Sequence, residues 1–299
     1  MDNKKKKVHP ITVIGYVVLA VASFLAIMPF VLMIISSVSS ENSITTNGYS
    51  FWPSEFSLEA YKYLWTNAIT IGRAYLTTIV TAVVGTALGL LMTIMLGYAL
   101  SRPNLPGRKF LNFAVVFTML FHGGLVASYL VYTEILHIKN TPFALLVPSL
   151  MLSGFNVMLA RNYFTSSIPV ALIEAAKLDG ASEFQVFWRV VFPISLPIIA
   201  TIGMFIFVGY WNDWNNGLYY LTDTRLYNIQ NVLNDMLQNI QFLKNNTEVS
   251  SEMIAAMANL PSASVRMAIA SVVAVPVLLV FPFFEKFFVK GIVVGGVKE

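Results

Sequence analysis

The chain has no cysteine, only 3 histidines, and charged side chains at just 11% of its 299 residues. Without cysteine there are no disulfides and no thiolate metal sites. The scarcity of charge excludes more. A soluble domain carries roughly 25% charged residues, so a water-soluble globule of this size would lack the polar side chains to cover its surface. Glycine (17) and proline (13) are too few for a collagen-like or low-complexity chain. The dipeptide Gly-Lys does not occur, which excludes a P-loop for ATP. His9, His122 and His137 are scattered, with no His-Glu-x-x-His pattern, and no Gly-x-Ser-x-Gly elbow is present. An intramembrane hydrolase therefore has no constellation to rest on.

What is abundant is apolar. Hydrophobic residues make up 57% of the chain and aromatics 13%, and the mean hydropathy is +0.69. These values define an integral membrane protein. The net charge of +4 fits the gathering of Lys and Arg in cytoplasmic loops, so nucleic acid is not expected as a partner. Lys4–Lys7 could open a signal peptide, but the apolar run behind them far exceeds its 7–15 residues and lacks a cleavage site, so a retained span is expected.

A hydrocarbon core of ~30 Å needs about 20 apolar residues in a helix. Six uncharged runs meet or nearly meet that length: Ile11–Ile35, Ala74–Leu100, Phe110–Thr133, Asn140–Ala160, Val190–Asn212 and Met267–Phe284. In lipid each backbone must satisfy its own hydrogen bonds, so helices are expected throughout. The fold class is thus all-α, a polytopic protein with six transmembrane helices. Pro29, Pro148, Pro197, Pro276 and Pro282 are expected to kink or end some of them. Gly85, Gly89 and Thr81 form a small-residue stripe for close helix packing.

Six spans put both termini on one side. With residues 1–10 cytoplasmic, 13 of the 19 basic residues fall inside and 6 outside. The inverted topology reverses the bias, so N-in and C-in is expected. The first outer loop, Ser36 to Gly72, carries Trp52, Tyr61, Tyr63 and Trp65 as interfacial anchors. In the last outer loop, Ile229 to Leu243 reads as a helix with Val232, Leu233, Met236, Leu237 and Ile240 on one face.

Polar residues in or beside spans mark candidate functional positions, because they are costly there. Trp211, Asn212, Asp213 and Trp214 close the fifth span. They read either as a sugar-stacking, hydrogen-bonding lining or as an interfacial belt. On a continuous helix the two tryptophans would share a face. Asn156, in the middle of the fourth span, either lines a path or bonds to a neighbouring helix. His122 beside Gly123 and Gly124 is read as a helix-packing histidine. A stand-alone secondary transporter or channel, the competing class, would need intramembrane carboxylates or histidines for ion coupling, and the spans hold essentially none outside Asp213.

Between the fourth and fifth spans, Pro169 can open a short helix and Gly180 can end it. A second short helix then starts near Ser182-Glu183 and ends at Pro193. The segment Glu174-Ala175-Ala176-x-x-x-Gly180, followed by Val190-x-Phe192-Pro193, resembles the EAA loop of membrane subunits in binding-protein-dependent ABC importers. Asn162-Tyr163-Phe164, Trp211 to Trp214 and the ending Lys290 to Lys298 are similar to the carbohydrate-uptake branch, and to the second permease of maltose-type importers in particular. The resemblance implies one transmembrane domain over 11–299, a coupling loop at about 164–195 and a cytoplasmic tail at 285–299. It further implies that Glu174, Ala175, Ala176, Leu178, Asp179 and Gly180 couple to an ATPase, and that the tail, with Gly291, Gly295 and Gly296, enters the ATPase dimer interface. The implied partners are a second, different permease, two ATPase subunits that carry ATP and Mg, an extracytoplasmic sugar-binding protein and membrane lipid. No cofactor is expected on this chain.

Overall fold

The computed structural model describes residues 10–148, 150–245 and 262–295. Helices run in chain order as α1 (Pro10–Ser37), α2 (Glu41–Asn47), α3 (Glu59–Thr66), α4 (Ala68–Ser101), α5 (Arg108–Leu120), α6 (Gly124–Leu130), α7 (Phe143–Leu146) and α8 (Gly154–Ser166). There follow α9 (Val170–Leu178), α10 (Glu183–Val186), α11 (Phe192–Ile194), α12 (Leu196–Trp211), α13 (Asn215–Tyr220), α14 (Ile229–Asn245) and α15 (Ser262–Gly295). Strands are absent from the described residues, where one isolated bridge joins Ser39 and Phe56. The all-α expectation holds.

The described residues form two compact units, one drawn from 1–68 and 237–275, the other from 69–236 and 276–299. In the first, α1 shows apolar side chains around its whole circumference, with Ile11, Leu19 and Phe24 all exposed. A helix apolar on every side has no face for water and belongs in lipid. Its C-terminal end is polar and buried, where the Ser37 hydroxyl meets that of Tyr61 at 2.7 Å. Ser40 then caps α2 by accepting from the Ser43 amide, and donates to Glu55 Oε2 at 2.9 Å. The Glu41 carboxylate accepts from the amides of Ala263 and Ser264, each at 3.0 Å. A carboxylate from the first loop thus satisfies the orphan N–H groups that open α15. Trp52 and Trp65 stand exposed, as interfacial anchors would.

The second unit is built around α4. Its 34 residues at 1.5 Å each reach about 50 Å, longer than a bilayer core. Hydrophobic burial between helices vanishes as a driving force in lipid, so close van der Waals fit must replace it. The glycine stripe supplies that fit. A Cβ added at Gly85 would sit inside the Tyr210 ring of α12, and one at Gly89 would lie 2.8 Å from the Met151 carbonyl oxygen. At Gly97 it would lie 2.7 Å from the Ala160 Cβ of α8. Tyr210, fully buried, donates its hydroxyl to the Leu146 carbonyl at 2.7 Å. Thr78 of α4 accepts from the Ile229 amide at 2.9 Å, and Asn228 caps the same end of α14 by accepting from the Asn231 amide at 2.9 Å. Of the face expected of that helix, Val232 and Leu233 are buried next to Ile229, Met236 and Leu237 are half-buried, and the Ile240 side chain lies outside the described residues.

Three expected spans depart from straight helices. Phe110–Thr133 is broken at Phe121–Gly123, and the helices on either side meet at 118°. Phe121 is extended and Gly124 has φ +81°, a conformation only glycine adopts freely. His122 therefore stands exposed in a break instead of packing within a helix. Asn140–Ala160 is interrupted between Leu146 and Gly154, around Pro148 and an extended Ser153, and resumes as α8 to Ser166. Val190–Asn212 bends by 85° at Ser195, so that the helix proper is α12. Pro197 lacks the N–H that would bond back across Ser195, and its ring crowds the preceding turn. Pro29, Pro276 and Pro282, by contrast, lie inside α1 and α15 without ending them. Among the described residues three helices are long and apolar enough to cross a membrane, or up to five if each bent pair counts as one span.

Candidate functional site

α8 ends at Ser166, and Pro169, extended at ψ 127°, opens α9 from the N-cap position, one residue before the helix begins. Only Ile173 of α9 is buried. It enters the core beside Phe164, Val186 and Phe187, and Ala176 packs against that core from its edge. Glu174, Ala175, Leu178 and Asp179 all face outward, and Leu178 is 88% exposed. An apolar side chain so exposed beside an acid, outside any span, has the make-up of a contact surface.

The end of α9 is a Schellman turn. The Gly180 amide bonds to the Lys177 carbonyl and the Ala181 amide to the Ala176 carbonyl, both at 3.0 Å. Gly180 takes φ +82°, and the space around its missing Cβ is open. Glycine is needed here for its backbone, and crowding has no part in it. Ser182 and Gln185 then form a reciprocal capping box. The rod from Glu183 to Ile194 includes a π-helical turn at Phe187–Val191.

Glu183 joins the loop to the bundle. Its carboxylate pairs with Lys177 across the glycine turn and accepts from the Tyr98 hydroxyl of α4 at 3.0 Å. Lys177, then burial in the opposite sense, then Tyr98 act on this carboxyl, and the net effect holds it below the usual range. The Arg102 guanidinium lies over the Tyr98 ring at 4.7 Å. Sequence reading missed this network, since Tyr98 sits unmarked in an apolar run and the Lys177–Glu183 spacing matches no helical period.

The five expected path residues are not brought together. Asn156 is buried in α8, and Trp211 is buried at the end of α12 with its ring stacked on Phe207 at 5.8 Å. The helix stops there, so Trp211 and the exposed Trp214 do not share a helical face. Asn212 is exposed and Asp213 half-buried. The carbonyls that helix termination frees are met by amides from the start of α14. Asn228 donates to the Asp213 carbonyl at 2.6 Å, Asn231 to that of Trp214 at 2.7 Å and Gln230 to that of Trp211 at 3.3 Å. Just past the end of α12, burial pushes the Asp213 carboxyl up to about 6, opposed by hydrogen bonds from the Asn216 and Asn215 amides. Of the five, Asp213 lines a cavity of about 420 Å³, with His122, Asn215, Asn216 and Tyr219 among its other walls. Gly291 and Gly295 lie in the last turns of α15, and Gly296 lies outside the described residues.

The long apolar helices, with the exposed loop helix α9 between two of them, define a multi-pass membrane protein. Residues 3–294 match the family of binding-protein-dependent transport system inner membrane components, and the chain belongs to that family. It is 33% identical over 294 residues to a polygalacturonan/rhamnogalacturonan transport system permease protein, YtcP, of Bacillus subtilis (strain 168), with 98% of this chain and 99% of the relative covered. A maltodextrin transport system permease protein, MalD, of Streptococcus pneumoniae is 27% identical over 95% of this chain and 94% of its own length. Among solved structures, a chain of a bacterial ABC transporter involved in the import of the acidic polysaccharide alginate superposes with a TM-score of 0.77 at 27% identity, covering 93% of this chain and 96% of that one.

Proposed function

We propose that this chain is one permease subunit of an ATP-driven importer for sugars, oligosaccharides in the main, and that it crosses the cell membrane of a prokaryote six times with both ends in the cytoplasm. Six spans treat the bent pairs as single crossings and count α7 with α8 as another. The observation that carries the reading is the coupling helix α9. It buries Ile173, rests Ala176 against the same core, presents Glu174, Ala175 and Leu178 outward, and is tied to α4 through Lys177 and Glu183. The meeting of Arg102 and Glu183 around Tyr98 supports one membrane face for both loops, as the N-in topology requires.

In this reading a binding protein delivers the sugar outside, and a second, different permease completes the path. Two ATPase subunits hold ATP and Mg, and this chain carries neither catalysis nor cofactor. Their closure pushes on α9, and the Schellman turn passes the push to the rod Glu183–Ile194 and on to α12. Glu174 reaches a basic group in the ATPase cleft, and the small Ala175 permits close docking. The tail, with Gly291, Gly295 and Gly296, enters the ATPase interface. On the outer side Asp213 and its neighbours line the sugar path. Affinity purification from the native membrane tests this. It should recover an ATPase and a second permease, with ATP hydrolysis stimulated by sugar-loaded binding protein. Recovery of the chain alone, with ion-driven uptake, would replace the reading by a secondary transporter.

A further inference from the structure

Within the second unit, on the side that the importer reading puts outside, the break at Phe121–Gly123 faces the segment from Asp213 to Tyr220 across the cavity of about 420 Å³. That volume lies within the ~300–1,000 Å³ of small-molecule sites. The walls combine an imidazole (His122), amides (Asn215, Asn216), a carboxylate (Asp213) and phenols (Tyr219, Tyr220), and no lysine or arginine lines it. Such planar polar groups suit the hydroxyls of a sugar ring, and an aromatic face suits its C–H surface.

The frame of the cavity is fixed while its polar ends stay open. Asn216 is buried, with its side chain donating to the Pro148 carbonyl at 3.0 Å, and its amide donates to Asp213 Oδ1 at 3.3 Å. Tyr220, also buried, stacks on Tyr129 at 5.8 Å and meets Tyr132 edge-on at 5.7 Å. His122, Asn215 and Tyr219 are exposed and line the cavity, within reach of a solute there. Gly123 and Gly124 leave that wall low, since a Cβ on either would meet nothing closer than 3.9 Å.

We propose that this cavity is a sugar subsite for one uncharged pyranose unit, held by His122, Asn215 and Tyr219, with the Asp213 carboxylate rejecting an anionic unit at that position. The proposal rests on the importer reading and deepens it. Discrimination comes from a like charge placed in a partly desolvated wall with no cation to offset it. The rest of a transported oligosaccharide is free to carry charge, because one subsite reads one unit.

The test uses the purified complex of this chain with its permease and ATPase partners in nanodiscs. The probes are maltotriose, raffinose and trigalacturonate, followed by saturation-transfer NMR. At least one neutral trisaccharide should bind, and trigalacturonate at least tenfold more weakly. Asn215→Ala and Tyr219→Ala change exposed side chains and should weaken the neutral probe at least fivefold. Asp213→Asn should narrow the discrimination against trigalacturonate to less than threefold. Tighter binding of trigalacturonate, no binding of any neutral probe, or unchanged binding in the Asn215 and Tyr219 variants would overturn the subsite. Sugar-stimulated ATP hydrolysis by the same preparation is the separate readout of the importer reading, so the two can fail independently.

Discussion

Glu183 holds Tyr98 and Lys177 at the same time, accepting the Tyr98 hydroxyl at 3.0 Å on one oxygen and pairing with Lys177 on the other. One carboxylate thus links α9, the rod after it and α4. Exposed ion pairs contribute only ~0–1 kcal/mol, and the Glu183 side chain is 55% exposed, so the link adds little to stability. Its value lies in geometry.

Removing it should therefore uncouple without unfolding. Tyr98→Phe and Glu183→Ala should each shift the thermal midpoint by no more than a few degrees, while the ATP hydrolysed per sugar imported rises at least twofold. Paired transport and hydrolysis assays in vesicles check this. An unchanged ratio in both variants would assign the contact to packing alone.

The glycine turn makes a graded prediction. Left-handed backbone costs a β-carbon-bearing residue ~1–2 kcal/mol, while asparagine tolerates it better. Gly180→Leu should abolish coupled uptake at near-normal membrane abundance, and Gly180→Asn should keep most of it. Open space around the position means that side-chain size is not the cause. Equal loss in both variants would contradict the conformational account.

Helix packing makes another. Gly85→Leu forces a side chain into the volume of the Tyr210 ring. Overpacking typically costs ~1–3 kcal/mol, and Tyr210 would also lose its bond to the Leu146 carbonyl. The variant should show a folded yield several-fold lower by size-exclusion fluorescence. Gly72→Leu, which meets nothing within 4 Å, should be neutral.

The cap on α15 is checked through Glu41. Its carboxylate accepts from two amides and from the Ser264 hydroxyl at 3.1 Å. Glu41→Ala should cost ~1 kcal/mol, as lost helix caps do. Glu41→Asp, with a shorter reach, should recover part of that. Thermal unfolding of the purified protein in detergent measures both.

Much of this was legible in the sequence, for reasons that differ by region. Uncharged runs of spanning length had to be helices, and the Gly85–Gly89 stripe marked the packing face that Tyr210 and Met151 occupy. Pro169 and Gly180 marked the ends of α9 because one fixes φ and the other permits a positive one. Two of the breaks fall at Pro148 and beside Pro197, where the sequence led one to expect a kink or an end, but the third was not legible. Hydropathy counts apolar residues and is blind to a turn such as His122-Gly123-Gly124, which leaves the run uncharged while reversing its direction. Nor could it show that Asn228, Gln230 and Asn231 would satisfy the carbonyls at the end of α12, since those bonds depend on tertiary placement. Trp211 and Trp214 were read as one helical face because nothing in their spacing announces that the helix stops between them.

The central claim is that the outward face of α9 docks on an ATPase subunit. The chain has no cysteine, so Leu178→Cys introduces a unique thiol at a position 88% exposed. Labelled with a maleimide photo-crosslinker and irradiated in native membranes, this variant should yield an adduct of this chain with the ATPase subunit. Trp52→Cys, in the loop that the proposed topology puts outside, should yield none. Adducts confined to lipid or to other permease chains, with the ATPase present in the same membranes, would contradict the account.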